Sequence, residues 1–225
     1  MVSDLLELDM FDMKESIDKR IANLMLDLES ARFCFEQPFT LPSGLKSPIY
    51  TDNKKLLAFP SIRDEIVTFF ANEIKECFKE VDIIAGVASG AIAWGALVAQ
   101  KLGLPFLYVR PEVKDFNKNP RIEGFIQKSQ RVVIVEDLIS SGKSSLVTAD
   151  ALSNVGGIIL GMVALFSYNF ALTRRNFENS NIELHTLCNY EQLLEQAVNR
   201  GILNSENLDI LKEWSINPTI WDGIK

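Results

Sequence analysis

The spacing of apolar positions in the N-terminal part of the chain predicts two amphipathic helices with an irregular segment between them. Apolar residues recur at helical spacing in residues 13–32 and again from residue 60 to residue 78, with charged residues between them. Such spacing is typical of helices that bury one face. Residues 39–53 contain two prolines and a glycine, which exclude a long helix and favour an irregular or hairpin-like excursion. This excursion is either a solvated connection or a hood over a substrate site.

Beyond residue 82, short apolar runs alternate with helical patterns. The predicted strands are residues 83–86, 105–110, 132–135, 158–166 and 182–187. Helices are predicted between and after them: one stopped by Gly103, one starting at Ser144 or Ser145 and ending at Gly156, and others following Asn169, Asn189 and Ser205. This alternation predicts a largely parallel sheet covered by helices on both faces, with ligands at the carboxyl ends of the strands.

The expected fold is therefore α/β, in a single domain of residues 1–225. About residues 1–58 are expected to form an N-terminal helix and the small hood region, and about residues 59–225 the core and the C-terminal helices. At 225 residues and 47% hydrophobic, the chain is long enough for one substantial core.

Residues 132–145, Val-Val-Ile-Val-Glu-Asp-Leu-Ile-Ser-Ser-Gly-Lys-Ser-Ser, predict a strand, a phosphate loop and a helix N-terminus. Ser140, Ser141, Gly142 and Ser144 would place backbone N–H groups and hydroxyls around one concavity, with the positive end of the helix dipole behind them. A phosphate monoester is the natural guest of such a loop.

Two carboxylates, Glu136 and Asp137, stand at the predicted carboxyl end of the same strand. They could accept hydrogen bonds from the vicinal hydroxyls of a ribose. An ordinary strand-to-helix turn with an acidic edge is the alternative. A nucleotide-hydrolase P-loop fits poorly, because that motif needs glycine at the position of Asp137.

Two further segments are candidates for phosphate chemistry. Ala88, Ser89 and Gly90 follow the strand at residues 83–86, and their backbone could approach a second phosphate group, although a tight packing turn explains them equally well. Residues 110–121 form a polar, cationic stretch bracketed by prolines. It is either inert solvated charge or a mobile loop that closes over a pyrophosphate.

Composition excludes several function classes. A formal net charge of -7 gives no support for nucleic-acid binding. No window approaches the roughly 18 apolar residues of a membrane span, and no export signal is indicated. Cys34, Cys77 and Cys188 are odd in number and widely spaced, which suggests reduced thiols in a cytoplasmic protein. The sole histidine, His185, is expected to be a hydrogen-bonded structural residue.

Several segments together resemble the orotate phosphoribosyltransferase family of type I phosphoribosyltransferases. The residues 132–145 resemble the family's signature for phosphoribosyl pyrophosphate (PRPP), and Ser-Gly-Leu-Lys-Ser-Pro-Ile-Tyr-Thr-Asp, residues 43–52, points to orotate. The resemblance extends in order from about residue 21 to residue 218. It implies transfer of the phosphoribosyl group of PRPP to orotate, giving orotidine 5-monophosphate and pyrophosphate in the synthesis of UMP.

The resemblance also implies roles for individual residues. Lys114, Arg110 and Asp137 would be catalytic, and Lys46 and Ser140 would contact orotate. PRPP would be bound by Arg110, Lys114, Glu136, Asp137, Leu138, Ile139, Ser140, Ser141, Gly142, Lys143, Ser144, Ala88, Ser89 and Gly90. The resemblance further implies a cis peptide bond between Ala88 and Ser89 and a homodimer. It also implies that Mg²⁺ enters bound to PRPP and has no ligands from the protein.

Two other functions stay open at this point. A phosphoribosyltransferase for another base would share the PRPP loop, which contacts only the sugar phosphate. The second open function is a PRPP-sensing regulator with impaired catalysis. Phe116 slightly favours this function, because family members commonly have a histidine at that position. The acidic charge and the absence of a DNA-binding motif count against that regulator.

Overall fold

The computed structural model describes residues 16–41, 44–110 and 121–221. The helices are α1 (Ile17–Asp27), a 3-10 helix (Asn53–Ala58), α2 (Pro60–Cys77), α3 (Ala91–Leu102), α4 (Lys143–Asn154), α5 (Ala171–Asn179), α6 (Tyr190–Asn199) and α7 (Ser205–Ile216). The strands are β1 (Ala31–Phe33), β2 (Phe39–Thr40), β3 (Lys46–Ser47), β4 (Ile49–Thr51), β5 (Ile83–Val87), β6 (Phe106–Arg110), β7 (Arg121–Glu123), β8 (Arg131–Ile139), β9 (Ile158–Ser167) and β10 (Leu184–Asn189).

Six strands form the main sheet in the order β10-β9-β8-β5-β6-β7. All neighbouring pairs are parallel except β6 and β7, which run antiparallel. The α/β fold with a largely parallel sheet is therefore confirmed. Strand β8 lies at the centre, and the carboxyl ends of β5, β6, β8 and β9 all point to the same side of the molecule.

Helices cover both faces of this sheet, as the alternation of elements predicted. Successive side chains of a strand point to opposite faces. Val133 and Val135 of β8 accordingly join a core with α1, α2, α3, α6 and α7, whereas Val132 and Ile134 join a second core with α4 and α5. Each buried Val or Ile side chain contributes about 1.5–3 kcal/mol, so burial on both faces stabilises the centre of the sheet.

The N-terminal segment differs from the prediction. The helix predicted for residues 13–32 ends at Asp27, and Ala31–Phe33 forms strand β1, which pairs antiparallel with β4. The prediction of helix up to residue 32 was wrong because pairing with a distant strand overrides the local apolar spacing. Residues 13–15 lie outside the described residues.

The hood (residues 31–51) is built from two small strand pairs. Strands β2 and β3 form the hairpin-like excursion that the prolines and glycine predicted, and β1 and β4 form its base. The antiparallel edge strand β7 was not predicted. The last strand begins at Leu184 and ends at Asn189, two residues later than predicted. No helix among the described residues combines the length and apolar character that a membrane span requires.

Candidate active site

The central strand carries the carboxylate pair. Strand β8 continues to Ile139, so Glu136 and Asp137 lie near its carboxyl end, as predicted, but within the strand. Glu136 is 4% exposed, and its Oε2 accepts a hydrogen bond from Ser145 Oγ at 2.7 Å. Its Oε1 accepts from the backbone N–H of Asp137 at 3.1 Å. Glu136 therefore faces inward and anchors the first turn of α4, while Asp137 is left half-buried beside it.

The surroundings of this pair disfavour its ionisation. Burial raises the pKa of Glu136 well above its ordinary value, and the neighbouring charge of Asp137 raises it further. Burial also raises the pKa of Asp137, partly offset by the hydrogen bond with Glu136 and by the positive charge of Lys54. A ligand that brings cations or hydroxyl donors would favour the ionised forms.

The loop after β8 has the features of a phosphate site. Within the described parts of the chain, the N–H groups of Ser140, Ser141 and Gly142 have no hydrogen-bond acceptor. Helix α4 begins at Lys143, one residue earlier than predicted, with Gly142 as its N-cap at a φ of 76°. Unpaired N–H groups in front of a helix N-terminus form an anion-binding concavity. Ser140, Lys143 and Ser144 are exposed.

Helix α5 supports this loop from outside. Thr173 Oγ1 donates to the carbonyl of Ser140, and Asn176 Nδ2 donates to the carbonyl of Ser141 at 2.9 Å. A Cβ on Gly142 would lie 2.5 Å from the Phe177 ring. These contacts turn the carbonyl groups of the loop toward α5, so the N–H groups of the loop are available to a ligand. Sequence reasoning missed these supporting residues, because their i, i+3, i+4 spacing is that of any helix face.

The residues between the carboxylates and the loop are directed into the protein. Ile139 is 1% exposed and its carbonyl accepts from the N–H of Tyr168 at 2.9 Å, while Leu138 packs against the larger core. Leu138 and Ile139 therefore position the loop that follows them.

The second predicted loop lies beside the first. Strand β5 pairs with β8, and the Ala88–Ser89 peptide bond that follows β5 is cis, as the resemblance implied. A Cβ built on Gly90 would lie 2.1 Å from Asp137 Oδ2. Only glycine allows this approach, so the Asp137 carboxylate of β8 rests directly on the backbone of the loop that follows β5.

Arg110 ends the neighbouring strand β6. Val109 pairs with Val87, and the N–H of Ala88 donates to the carbonyl of Val109 at 2.9 Å, which places Arg110 next to the second loop. The Arg110 side chain is 59% exposed and lies over the ring of Tyr108. Lys114 and Phe116 lie outside the described residues.

The base of the hood is tied to the carboxylate strand. Asn53 Nδ2 donates to the carbonyl of Asp137 at 2.7 Å, and the hydroxyls of Thr51 and Tyr168 are 3.0 Å apart. Lys46 lies on the hood hairpin, where its Nζ donates to Thr40 Oγ1 at 2.8 Å. Asn53, at the start of the 3-10 helix that follows the hood, thus contacts the carboxylate strand, and Thr51 ties the hood to the residue after β9. The sequence singled out neither residue by itself.

The largely parallel sheet, with two loops of small residues after β5 and β8, defines a class of protein, the type I phosphoribosyltransferases. A family model described as a phosphoribosyl transferase domain matches residues 52–181. A crystal structure of orotate phosphoribosyltransferase from Aeropyrum pernix has the same fold, with a TM-score of 0.72 and 23% identity over 82% of this chain and 99% of that chain.

Sequence relatives show which family within this class the chain belongs to. An orotate phosphoribosyltransferase from Porphyromonas gingivalis is 44% identical over 92% of this chain and 99% of its own length. Another from Listeria innocua is 43% identical over 92% of this chain and 99% of its own length. This chain belongs to the orotate phosphoribosyltransferase family.

Proposed function

We propose that this chain transfers the phosphoribosyl group of PRPP to a ring nitrogen of orotate. The products are orotidine 5-monophosphate, a precursor of UMP, and pyrophosphate. The observation that carries the proposal is the contact between Gly90 and Asp137, which brings the loop after β5 against the carboxylate that precedes the 140–144 loop. Names of relatives that are more than 40% identical over most of the chain support orotate as the acceptor.

The reaction forms a bond between the ring nitrogen and the anomeric carbon as the bond from that carbon to the pyrophosphate oxygen breaks. The electron pair of the broken bond leaves with pyrophosphate. Because the orotate nitrogen is already anionic or nearly so, the protein needs no strong base. Its task is to hold the two reactants in line and to stabilise the departing negative charge.

Each loop has a distinct role in this proposal. The 5-phosphate is held by the loop after β8 and the first turn of α4. The groups involved are the N–H groups of Ser140, Ser141 and Gly142, with Lys143 and Ser144. Asp137 accepts hydrogen bonds from the ribose hydroxyls, and the inward-facing Glu136 positions it.

The opposite side of the site receives the leaving group. Pyrophosphate lies against Ala88, Ser89 and Gly90. Its negative charge is met by two cations, Arg110 at the end of the next strand and Lys114. Lys46 of the hood and Ser140 contact orotate. The roles of Lys46 and Lys114 rest on the family resemblance.

Magnesium fits the chemistry of this site as part of the substrate. Mg²⁺ prefers oxygen ligands and commonly binds substrate phosphates through few protein groups. Bound to PRPP, it would supply positive charge to the developing pyrophosphate. The carboxyl pair, whose ionisation is unfavourable in the protein alone, suits a ligand that carries a divalent cation.

A homodimer in the cytoplasm completes the proposal. The family resemblance supports a dimer. Sedimentation velocity of the full chain tests this, and a monomer at assay concentrations would refute it. The three free cysteines agree with a reducing compartment.

The deciding experiment measures pyrophosphate release from PRPP and Mg²⁺ with orotate, uracil, adenine, hypoxanthine and guanine in turn. Of these bases, we expect only orotate to cause pyrophosphate release, with orotidine 5-monophosphate formed at the same time. Asp137→Ala serves as the control for contaminating enzyme. Release with a purine instead would identify a transferase for another base. PRPP binding by calorimetry without turnover on any base would identify a regulator.

A further inference from the structure

A side-chain cluster away from the phosphate loops joins helix α2 to strand β10. Glu73 and Cys77 are one helical turn apart on α2, and His185 faces them from β10. Strand β10 is the edge of the sheet, separated from the signature strand β8 by β9. The cluster therefore belongs to a different part of the molecule from the proposed transferase site.

Three potential ligand atoms of this cluster converge on one point. His185 Nδ1 is 3.0 Å from Glu73 Oε1, and Cys77 Sγ is 3.4 Å from each of these two atoms. A tetrahedral zinc ion with bonds of roughly 2.0–2.3 Å to N, O and S places its ligands roughly 3.3–3.6 Å apart. The three atoms thus need to separate by only a few tenths of an ångström to hold such an ion.

The other side of the imidazole is also fixed. Glu183 Oε1 lies 2.8 Å from His185 Nε2, and the Phe78 ring meets the imidazole edge-on at a centroid distance of 5.3 Å. A histidine that donates Nε2–H to a carboxylate presents the Nδ1 lone pair to its other neighbours. This carboxylate–histidine arrangement is the one that orients metal-binding imidazoles.

We propose that Glu73, Cys77 and His185 form a zinc site that fastens α2 to the edge strand β10, with Glu183 orienting the histidine. Mixed N, O and S ligands suit zinc, and hard cations such as Mg²⁺ prefer oxygen alone. Glu73 and His185 are 26% and 23% exposed, so the site is open to solvent. Water would fill the fourth position. This proposal does not depend on the transferase function.

The cluster also carries the negative charge that a cation requires, because the carboxylates of Glu73 and Glu183 flank the imidazole. Binding of zinc would replace the thiol proton of Cys77, which passes to solvent. The expectation that His185 is hydrogen-bonded within the structure is confirmed, and the zinc site adds a reason for its position.

The test begins with full-length protein stripped of metal by a chelator. Zinc titrated by calorimetry should bind with one equivalent per chain and raise the melting temperature. Cobalt titrated in its place should produce the ultraviolet absorption of a thiolate-to-cobalt bond. Both measurements are made without substrate, so they are independent of catalysis.

Variants then assign the ligands. Cys77→Ser and His185→Gln should abolish the tight zinc binding and the cobalt–thiolate absorption. Glu183→Gln should weaken zinc binding by about tenfold, because it loses the charge that orients the ring. Cys34→Ser is the matched control, since Cys34 is also free and half-buried but lies in the hood, and it should bind as wild type. Circular dichroism checks that each variant folds.

The wild-type titration alone can overturn the proposal, whatever the variants do. A chain that shows no zinc-dependent rise in melting temperature and no cobalt–thiolate absorption has no such site. Zinc binding that persists unchanged in Cys77→Ser and His185→Gln would equally refute it, because the ion would then be held elsewhere.

Discussion

Gly90→Ala tests the contact between the loop after β5 and the carboxylate of Asp137. Gly90 has a φ of -61°, an ordinary helical value, so alanine adds no backbone strain at this position. The new Cβ would nevertheless lie 2.1 Å, 2.3 Å and 2.4 Å from Oδ2, Cγ and Oδ1 of Asp137, where real Cβ atoms essentially never come within 3.0 Å. The carboxylate must therefore move by about 1 Å, the difference between 2.1 and 3.0 Å.

The size of the effect follows from this displacement. A charge-assisted hydrogen bond contributes about 1.5–3 kcal/mol, and a carboxylate displaced by about 1 Å no longer makes it to the ribose. We therefore expect PRPP to bind roughly 10- to 150-fold more weakly. The rate should fall at least as much, since a misplacement of about 1 Å can cost roughly 100-fold in turnover.

Calorimetric titration with PRPP and Mg²⁺ measures this effect, and a double-mutant cycle assigns it. If Gly90→Ala acts through Asp137, then Asp137→Ala and the double variant should bind PRPP equally weakly. Gly103→Ala is the matched control at the other end of α3, where nothing lies within 4 Å of the new Cβ and only the φ of 69° opposes it. It should lower stability by about 1–2 kcal/mol and leave PRPP binding intact. Wild-type affinity in Gly90→Ala would refute the reasoning.

Four further substitutions test single groups. Asp137→Asn should weaken PRPP binding by about 1.5–3 kcal/mol, because a charge-assisted hydrogen bond becomes neutral; unchanged affinity by calorimetry would remove Asp137 from the site. Lys114→Ala should slow single turnover far more than it weakens orotate binding, since a cation that meets developing charge acts in the transition state; a wild-type rate at saturating PRPP would show the lysine to be inert. Because the pKa of Glu136 is higher in the folded protein than in the unfolded chain, protonated Glu136 stabilises the folded state. This stabilisation is fully present below the pKa of the unfolded chain, near 4.5, and is lost as the pH rises toward the pKa of the folded protein. Glu136→Gln should therefore melt at an increasingly higher temperature than the ligand-free wild type as the pH rises above 4.5, and a difference independent of pH would contradict this. Tyr168→Phe leaves the buried hydroxyl of Thr51 without its partner and should cost about 1–3 kcal/mol in urea unfolding, whereas a loss below about 0.5 kcal/mol would mean that another group satisfies Thr51.

Features encoded within a short window of sequence could be predicted. The apolar runs of β5, β8 and β9 and the helical spacing of α2 identify their elements, and Gly103 marks the end of α3 because it adopts a φ of 69°. The loop at residues 140–144 could also be recognised as a candidate phosphate site, because the groups proposed to face the phosphate are contiguous. Alternation of these elements was enough to predict a largely parallel sheet.

Features that depend on distant residues could not be predicted. Asn53 reaches the carbonyl of Asp137 across 84 positions, and Thr173 and Asn176 support loop residues 33 and 35 positions away. No local pattern distinguishes these polar side chains from others on a helix or turn. The end of α1 was misjudged for the same reason, since β1 forms only because β4 is available to pair with it.

The division is clearest at the carboxylate pair. The sequence by itself determined that Glu136 and Asp137 stand just before a loop of small residues that leads into a helix. Tertiary structure decided that Glu136 turns inward to Ser145 while Asp137 rests on Gly90. That choice depends on which strand lies next to β8, and strand neighbours are set by packing of the whole chain, which a local pattern does not record.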